Sequence, residues 1–463
     1  MRERIVAGGS VAALVAADAL AARGEAVRLL LPERGVGGGF APIERDGRVL
    51  ELGVRLLELA YEGVDAASVP PLADYRPAIG GHRPYVPLVD RWVRELLGER
   101  VVEVERPRMY FDGAVHDDLY FTTDPLALRE ALDDGERAAI LAEARAARAA
   151  AGSDAGLLDP AQAATLAALT TDEASLRNHG PTLHDRLIAP LAGKLVPGGG
   201  GRVLATYRRK IWVPLFWPAT IAQACNGGQV AFAPSRPFHT VAPNGCCDLV
   251  GVLRERLQAR GATVETAGRL ESVAARADGD VALGFSALGE VSARRPVLGP
   301  GPGELFAAIG ADYAPEQARS VICWVEARPE DLAWRPSLLN VVDPDVPAVR
   351  VSAGGRGAPG TALLTVELRH DVAEADIAEA ATRSLARVGL VGPDADLNVV
   401  MSAAAPTFAL PTADTLEAFE RARGALAALG LDALVVGGAA DFGADALGEQ
   451  IVHGLQAAEA LGS

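Results

Sequence analysis

Apolar runs and glycine turns in the first 31 residues predict a strand, a helix and a second strand. The first strand-like run is Arg4–Ala7, the helical pattern covers Val11–Arg23, and Gly24 is placed to end that helix. A second apolar run follows at Ala26–Leu31. A strand, a glycine turn, a helix and another strand in this order are typical of the start of a dinucleotide-binding domain.

The same kinds of pattern predict elements along the rest of the chain. Asp46-Gly47 predicts a hairpin turn between short strands, and residues 61–130 are predicted to be irregular apart from pieces such as Val101–Val104. Residues 126–176 are predicted to be largely helical, with an exposed helix over Ala138–Ala151 because that stretch has few bulky apolar residues. The other predicted helices are Cys247–Arg260, Glu374–Val388, 414–429 and 446–461, and the other predicted strands are Ala262–Glu265, 281–299, 320–327, 361–368 and Ala433–Val436.

The composition is typical of a globular protein with two or three domains. Of the 463 residues 49% are hydrophobic and 22% are charged, which excludes a disordered chain and a collagen-like repeat. Basic residues number 44 against 60 acidic ones, and this net charge of −16 argues against nucleic-acid binding. The four cysteines form neither a disulfide framework nor a zinc-ligand pattern. The sequence has no signal peptide and no apolar stretch long enough to span a membrane, so a cytoplasmic enzyme is expected.

The first turn carries an incomplete dinucleotide fingerprint. That fingerprint uses three glycines, for the turn, for close approach to the pyrophosphate, and for packing of helix on strand. The corresponding residues here are Gly8, Ser10 and Ala13, so Ser10 puts a side chain where phosphate would come closest. The acid expected at the end of the second strand falls at Leu31, and the nearest acid is Glu33. The turn therefore leaves two alternatives open, a bound dinucleotide or a scaffold that has lost it.

Three separated segments resemble the flavin-binding amine-oxidase superfamily, which includes monoamine oxidases, protoporphyrinogen oxidase, phytoene desaturases and UDP-galactopyranose mutase. The first segment is Glu33-Arg34-x-x-Gly37-Gly38 with Asp46-Gly47 and Glu51-x-Gly53. The second is Asn244-Gly245, the helix from Cys247 to Arg260, and Gly261 to Glu265. The third is Leu434 to Gly438, Asp441 and Glu449-Gln450-Ile451-x-x-Gly454-x-x-Ala457-Ala458. These segments cover about a third of the chain and occur in the order of the family.

The resemblance implies an α/β fold in which a Rossmann-type FAD-binding domain is interleaved with an α+β substrate domain of mixed sheet and helices. The FAD-binding domain is expected at 1–60, 236–310 and 400–463, and the substrate domain at 61–235 and 311–399. By the same resemblance, the last helix points its N-terminus toward the flavin, which agrees with the preference of helix N-termini for negative charge. The implied FAD contacts are Gly8, Gly9, Ser10, Ala13, Glu33, Arg34, Gly37, Gly38, Gly53, Leu270 on the adenine side, Gly437, Gly438, Asp441, Gln450 and Ile451.

Candidate catalytic residues are Lys210, Arg55 and His239. The stretch Tyr207-x-x-Lys210-x-Trp212 resembles the Lys-x-Trp segment of the family, where Lys210 or Arg209 would bind an anionic substrate such as a nucleotide-sugar phosphate or a carboxylate. The alternative for this stretch is a strand with a buried tryptophan and a solvated basic edge. Arg55 follows the segment that faces the flavin in the family, with a structural role as its alternative. His239 is one of several histidines that would serve as a general base, because histidine titrates near neutral pH.

The resemblance implies a FAD-dependent oxidoreductase that transfers a hydride from a C–N or C–C bond of a small molecule to flavin, in a bacterial biosynthetic pathway. Two alternatives remain open. One is a non-redox flavoenzyme that acts on a nucleotide sugar, like UDP-galactopyranose mutase. The other is a flavin-free scaffold whose fingerprint has degenerated. A small-molecule substrate is expected in the first two cases, without metal, nucleic acid or membrane span, and the oligomeric state is left open.

Overall fold

Five parallel strands form a sheet that brings together the beginning, the middle and the end of the chain. The structure is a computed structural model that describes residues 3–61, 64–151, 166–227 and 237–462. The strands of this parallel sheet, in spatial order, are Thr263–Thr266, Val27–Leu31, Arg4–Ala7, Val297–Leu298 and Leu434–Val435. Every neighbouring pair is parallel. The predicted strand, helix and strand at the start of the chain are confirmed, and so is the Rossmann-type α/β class.

The first helix, Val11–Ala22, lies between two other helices on one face of the parallel sheet. It packs against the last helix, Leu447–Gly462, and against the helix Asp248–Ala259. The contact with the last helix is close because residue 454 is glycine. A Cβ atom at Gly454 would lie 2.5 Å from the Ala12 carbonyl oxygen. The three sequence segments that resemble the family therefore meet in one layer.

A seven-stranded mixed sheet forms the other large layer. Its strands, in spatial order, are Leu397–Ala409, Gln317–Ala327, Ala362–Leu368, Ala348–Ala353, Leu339–Val341, Arg108–Phe111 and Ala114–Asp117. The helix Ile377–Arg387 packs on it. The fully buried Trp324 lies on the second of these strands, and its indole Nε1 donates to the Glu51 carbonyl oxygen at 2.8 Å. That bond ties the mixed sheet to the hairpin near the start of the chain.

Smaller sheets connect the two layers. Their strands are Leu270–Ala275, Val281–Phe285 and Gly289–Ala293 in one sheet, Leu57–Glu58, Phe238–Val241 and Val101–Val104 in another, and the hairpin Ile43–Arg45 with Arg48–Leu50. The hairpin turn predicted at Asp46-Gly47 is confirmed. The strand candidates predicted through 281–299 are confirmed, because that range contains two antiparallel strands and then Val297–Leu298 of the parallel sheet.

Two sequence predictions about helices are wrong. The helix Val86–Leu97 lies in the range predicted to be irregular, and it buries Val89, Trp92 and Val93 on one face. The helix Asp134–Ala151 is not simply exposed, because its side chain Ile140 is fully buried where the helix packs against Pro218–Cys225. The part of the predicted helical range at 152–165 lies outside the described residues.

The remaining described helices lie partly in the predicted helical ranges 126–176 and 414–429, and partly, over 181–195 and 302–308, where no helix was predicted. They are Leu128–Ala131, Thr171–His179, Pro181–Leu183, the π-helical His184–Ile188, Ala189–Leu195, Pro302–Ala308 and Ala413–Ala428. Within the described ranges, none of the helices is both long and apolar enough to cross a membrane. The domain boundaries stay a prediction, and the one at 235/236 lies outside the described residues.

A buried lysine fixes the helix Ala189–Leu195 to the mixed sheet. Lys194 is 3% exposed, and its Nζ donates to the carbonyl oxygens of Val341 and Ala348, both at 2.8 Å. Burial lowers the pKa of Lys194 to about 7. A neutral amine has two N–H donors, which match the two carbonyl acceptors.

We expect Lys194→Met to lower the free energy of unfolding by about 1–3 kcal/mol, because two buried carbonyls lose their donor. The folded-state pKa is below the unfolded value, so the stability contributed by Lys194 is complete near pH 10.5 and is lost as the pH falls toward 7. Urea unfolding at pH 7 and pH 9.5 measures both effects. The exposed Arg91→Met is the control, and an equal wild-type advantage over Lys194→Met at the two pH values would contradict the shifted pKa.

Candidate functional site

The glycines predicted to contact a dinucleotide lie together at the carboxyl edge of the parallel sheet, and several of them make room for the chain itself. Gly8 has a φ of 114°, and a Cβ atom there would lie 2.3 Å from the carbonyl carbon of Gly299. The N–H of Gly37 donates to the Gly9 carbonyl oxygen at 2.7 Å. A Cβ at Gly37 would lie 2.6 Å from a methyl carbon of Val250. Contacts within the protein therefore explain the glycines at these positions.

Ser10 fills the space beside the turn. Its Oγ accepts the N–H of Ala13 at 3.2 Å, which is the usual role of a serine at a helix N-cap. The same oxygen lies 2.7 Å from the position that a Cβ would take at Gly299, and 3.3 Å from that position at Gly437. The Ser10 hydroxyl thus lies between the turn and the loops that follow two neighbouring strands.

The last helix supplies two further acceptors at this edge. The Gln450 Oε1 accepts the N–H of Ala12 at 3.2 Å, and the His453 Nδ1 accepts the N–H of Gly437 at 3.2 Å. Burial lowers the pKa of His453 to about 4, so the ring is neutral near pH 7 and can accept through Nδ1. The Gln450 side chain is therefore in contact with the first helix. The sequence did not indicate that His453 accepts the Gly437 N–H.

The residues predicted at the adenine end of the cofactor are split between surface and core. Glu33, Arg34 and Gly38 are exposed at the rim. Leu270 is buried under the parallel sheet, and its N–H donates to the Glu304 carboxylate at 2.7 Å.

The residues predicted at the flavin end also contact side chains of the protein. The N–H of Val54, next to Gly53, donates to the Glu367 carboxylate at 3.1 Å. The Arg55 guanidinium donates to the Gly39 carbonyl oxygen at 2.8 Å, and its Cζ lies 5.3 Å from the centre of the Phe40 ring.

The N-terminus of the last helix is covered. The Glu449 carboxylate accepts the N–H of Ala446 at 2.9 Å and also the N–H of Gly80. A Cβ at Gly448 would lie 2.4 Å from the His82 ring, so the segment that holds His82 lies directly over this helix end. The predicted contact Ile451 is fully buried one turn further along.

The loop between the last strand and the last helix carries the other predicted contacts. Gly437 and Gly438 form a 3₁₀ turn, and Asp441 follows it, partly buried. Burial raises the pKa of Asp441 to about 6, and Arg423 partly opposes the rise.

The predicted catalytic residues lie in different environments. Lys210 forms an ion pair with Asp445 in the loop before the last helix. His239 lies on a strand of a small sheet, where its Nε2 is 3.4 Å from an Arg94 nitrogen. Burial and then Arg94 lower the pKa of His239. The structure does not show Lys210, Arg55 and His239 in contact with one another.

Three cationic side chains lie near Lys210. Arg208 and Arg209 share its 3₁₀ helix, Ala205–Ile211, and the exposed Arg83 lies close enough to affect Arg208. Arg209 is 3.5 Å from the Glu58 carboxylate. Burial, together with the charges of Arg209 and Arg83, lowers the pKa of Arg208 to about 10. We call Arg83, Arg208, Arg209 and Lys210 the cationic cluster.

Glu51 is a buried carboxylate at the junction of the layers. It is 3% exposed, and its Oε1 accepts the N–H of Cys247 at 3.2 Å. Gly245 and Gly354 both lie against it, since a Cβ at either would come within 2.7 Å of the carboxylate. Burial raises the pKa of Glu51 to about 7, against the opposing charge of Arg55.

Comparison with known proteins supports the fold. No protein-family model and no curated protein matches the chain. Among solved structures, reduced UDP-galactopyranose mutase matches with a TM-score of 0.69 and 14% identity, over 100% of this chain and 93% of that one. A putative protoporphyrinogen oxidase from Exiguobacterium sp. 255-15 matches with a TM-score of 0.61 and 16% identity, over 99% of this chain and 98% of that one. Cyclohexylamine oxidase from Brevibacterium oxydans IH-35A matches with a TM-score of 0.58 and 14% identity, over 99% and 98%.

These matches confirm the predicted likeness to the flavin amine-oxidase-like superfamily and extend it over the whole chain. The architecture is that of oxidases and a mutase, and at this identity it establishes the fold. The cofactor and the reaction have to be argued from the site.

The residues at the sheet edge do not fit FAD in the position that the resemblance implies. Backbone N–H groups of Ala12, Ala13 and Gly437, which lie where a pyrophosphate would bind, already have acceptors within the protein. The N–H of Leu270 on the adenine side and that of Val54 at the flavin end are also bonded to carboxylates. No catalytic step through a flavin is therefore derived for this chain.

We expect Glu51→Gln to change the pH dependence of stability. The folded-state pKa of Glu51 is raised, so its favourable contribution is complete below pH 4.5 and is lost as the pH rises through about 7. Glutamine keeps an acceptor for Cys247 but does not titrate. Between pH 5 and pH 8 the variant should gain about 1–3 kcal/mol relative to wild type in urea unfolding. The exposed Glu374→Gln serves as control, and a Glu51→Gln difference that does not change with pH would refute the assignment.

Proposed function

We propose that the protein binds an anionic small molecule at the cationic cluster. Arg208 is the observation that carries this proposal. Among the described residues, its guanidinium makes one hydrogen bond, to the Ala205 carbonyl oxygen at 3.0 Å, although it has five N–H donors. An anion would supply the missing acceptors.

The charges around Arg208 favour the same ligand class. Arg209 and Lys210 each have a carboxylate partner, Glu58 and Asp445, which partly neutralises them. Arg208 is held near two other guanidinium groups instead, and their repulsion contributes to its lowered pKa. A bound phosphate or carboxylate would remove that repulsion and form charge-assisted hydrogen bonds.

Aromatic rings border the cluster. The Cζ of Arg209 lies 5.6 Å from the centre of the Trp212 ring, and the Cζ of Arg83 lies 5.5 Å from that of Tyr61. Cationic groups beside aromatic faces suit a ligand that joins a charged group to a flat ring. A nucleotide sugar has both parts, and the name of the mutase with the same fold gives UDP-galactose as the first compound to test.

The hydride-transfer flavoenzyme and the mutase-like flavoenzyme both remain predictions. Each requires FAD at the sheet edge, where the protein's own side chains bond to the donors. Binding of an anion at the cationic cluster requires no flavin, and it is therefore the function that the described residues support best. A bacterial, cytoplasmic and biosynthetic role likewise stays a prediction.

We expect UDP-galactose or inorganic pyrophosphate to raise the melting temperature of the protein, whereas cyclohexylamine, a cation, should not. Arg208→Gln should weaken anion binding about tenfold or more in calorimetry, because a charged donor is lost. Arg208→Lys should retain part of the affinity, which separates loss of charge from misfolding. The exposed Arg91→Gln is the matched control. Absence of binding by both anions, or binding that folded Arg208→Gln leaves unchanged, would show the proposal to be wrong.

A further inference from the structure

Three backbone donors at the sheet edge are bonded to side chains of the protein. The Ala12 and Ala13 N–H groups belong to the first turn of the first helix, and the Gly437 N–H follows the last strand. In dinucleotide-binding folds such groups are the donors to the pyrophosphate. Here their acceptors are Gln450 Oε1, Ser10 Oγ and His453 Nδ1, each at 3.2 Å.

Helix packing explains why the last helix reaches these donors. Gly454 lets the last helix approach the first so closely that a Cβ there would lie 2.5 Å from the Ala12 carbonyl oxygen and 2.7 Å from the Val15 Cβ. Gln450 lies four residues, about one helical turn, before Gly454, and His453 directly precedes Gly454. The approach that Gly454 permits therefore brings both side chains to the edge.

The space at the edge is also filled. Ser10 Oγ lies between Gly299 and Gly437, within 3.3 Å of the Cβ position at each. Gln450 is held from its other end as well, since its Nε2 donates to the Asp445 carbonyl oxygen at 2.9 Å. A pyrophosphate would have to displace a buried amide that is bonded at both ends and a hydroxyl that caps the helix.

We propose that the nucleotide edge of this protein is self-capped: Ser10, Gln450 and His453 take the place of a pyrophosphate, and FAD is not held there. The capping side chains accept two N–H groups of the first helix and one of the loop after the last strand. The edge then has a structural role, and this inference is independent of whether an anion binds at Arg208.

The direct test is FAD binding. In the Arg208→Gln background, which weakens binding at the cationic cluster, the protein incubated with FAD and desalted should retain no flavin absorbance and show no saturable quenching of flavin fluorescence. Ser10→Gly combined with Gln450→Ala frees two donors and removes the hydroxyl, and it should bind FAD with saturation. Gln456→Ala is the matched control, because Gln456 lies on the same helix and donates to the carbonyl oxygens of Leu72 and Tyr75 instead.

Two results would overturn the proposal. The first is stoichiometric FAD in the wild-type protein that survives Arg208→Gln, since that substitution removes binding at the cationic cluster. The second is a folded Ser10→Gly, Gln450→Ala protein that binds FAD no better than Gln456→Ala.

Amide hydrogen exchange tests the cap if the double variant does not fold. In Gln450→Ala the Ala12 amide should lose protection relative to wild type and to Gln456→Ala, whereas the amides in the middle of the first helix should not. Unchanged protection at Ala12 in folded Gln450→Ala would contradict the self-capped edge.

Discussion

The close contact between the first and last helices determines what the sheet edge can bind. Residue 454 is glycine, and any side chain there would push the last helix away from the first helix at Ala12. In dinucleotide-binding folds, the N–H groups at the start of the first helix are donors to a ligand. Here Gln450 of the last helix accepts one of these N–H groups, that of Ala12. A packing constraint between two helices thus decides the hydrogen bonding of the candidate cofactor site.

Buried backbone groups explain why such capping matters for the fold. A buried N–H without an acceptor destabilises the folded state. A nucleotide edge whose donors have neither a ligand nor another acceptor would therefore lower the free energy of unfolding. Carboxylates play the same part elsewhere, with Glu304 at Leu270 and Glu367 at Val54. Each of these acceptors satisfies a backbone donor of the fold from within the protein.

Local sequence patterns predicted the parts of the fold that depend on local interactions. The first strand and the hairpin at Asp46-Gly47 follow from short-range periodicity and turn chemistry. The helix Val86–Leu97 was missed because its proline and tyrosine surroundings hid an apolar spacing that is visible at Val89, Trp92 and Val93. The site was harder to predict, because side-chain partners come from distant parts of the chain. Nothing near Arg209 in the sequence indicates that Glu58, 151 residues away, pairs with it.

The loop before the last helix contacts both the self-capped edge and the cationic cluster, so the two are mechanically linked. Gln450 joins the Ala12 N–H to the Asp445 carbonyl oxygen, and the Asp445 carboxylate pairs with Lys210. The amide that caps the first helix therefore also holds the residue that positions a cation of the cluster. Because Gln450 is bonded at both ends, the loop cannot move away from the first helix without breaking the cap. The edge of the parallel sheet thus supports, through Gln450 and Asp445, the position of Lys210 in the cationic cluster.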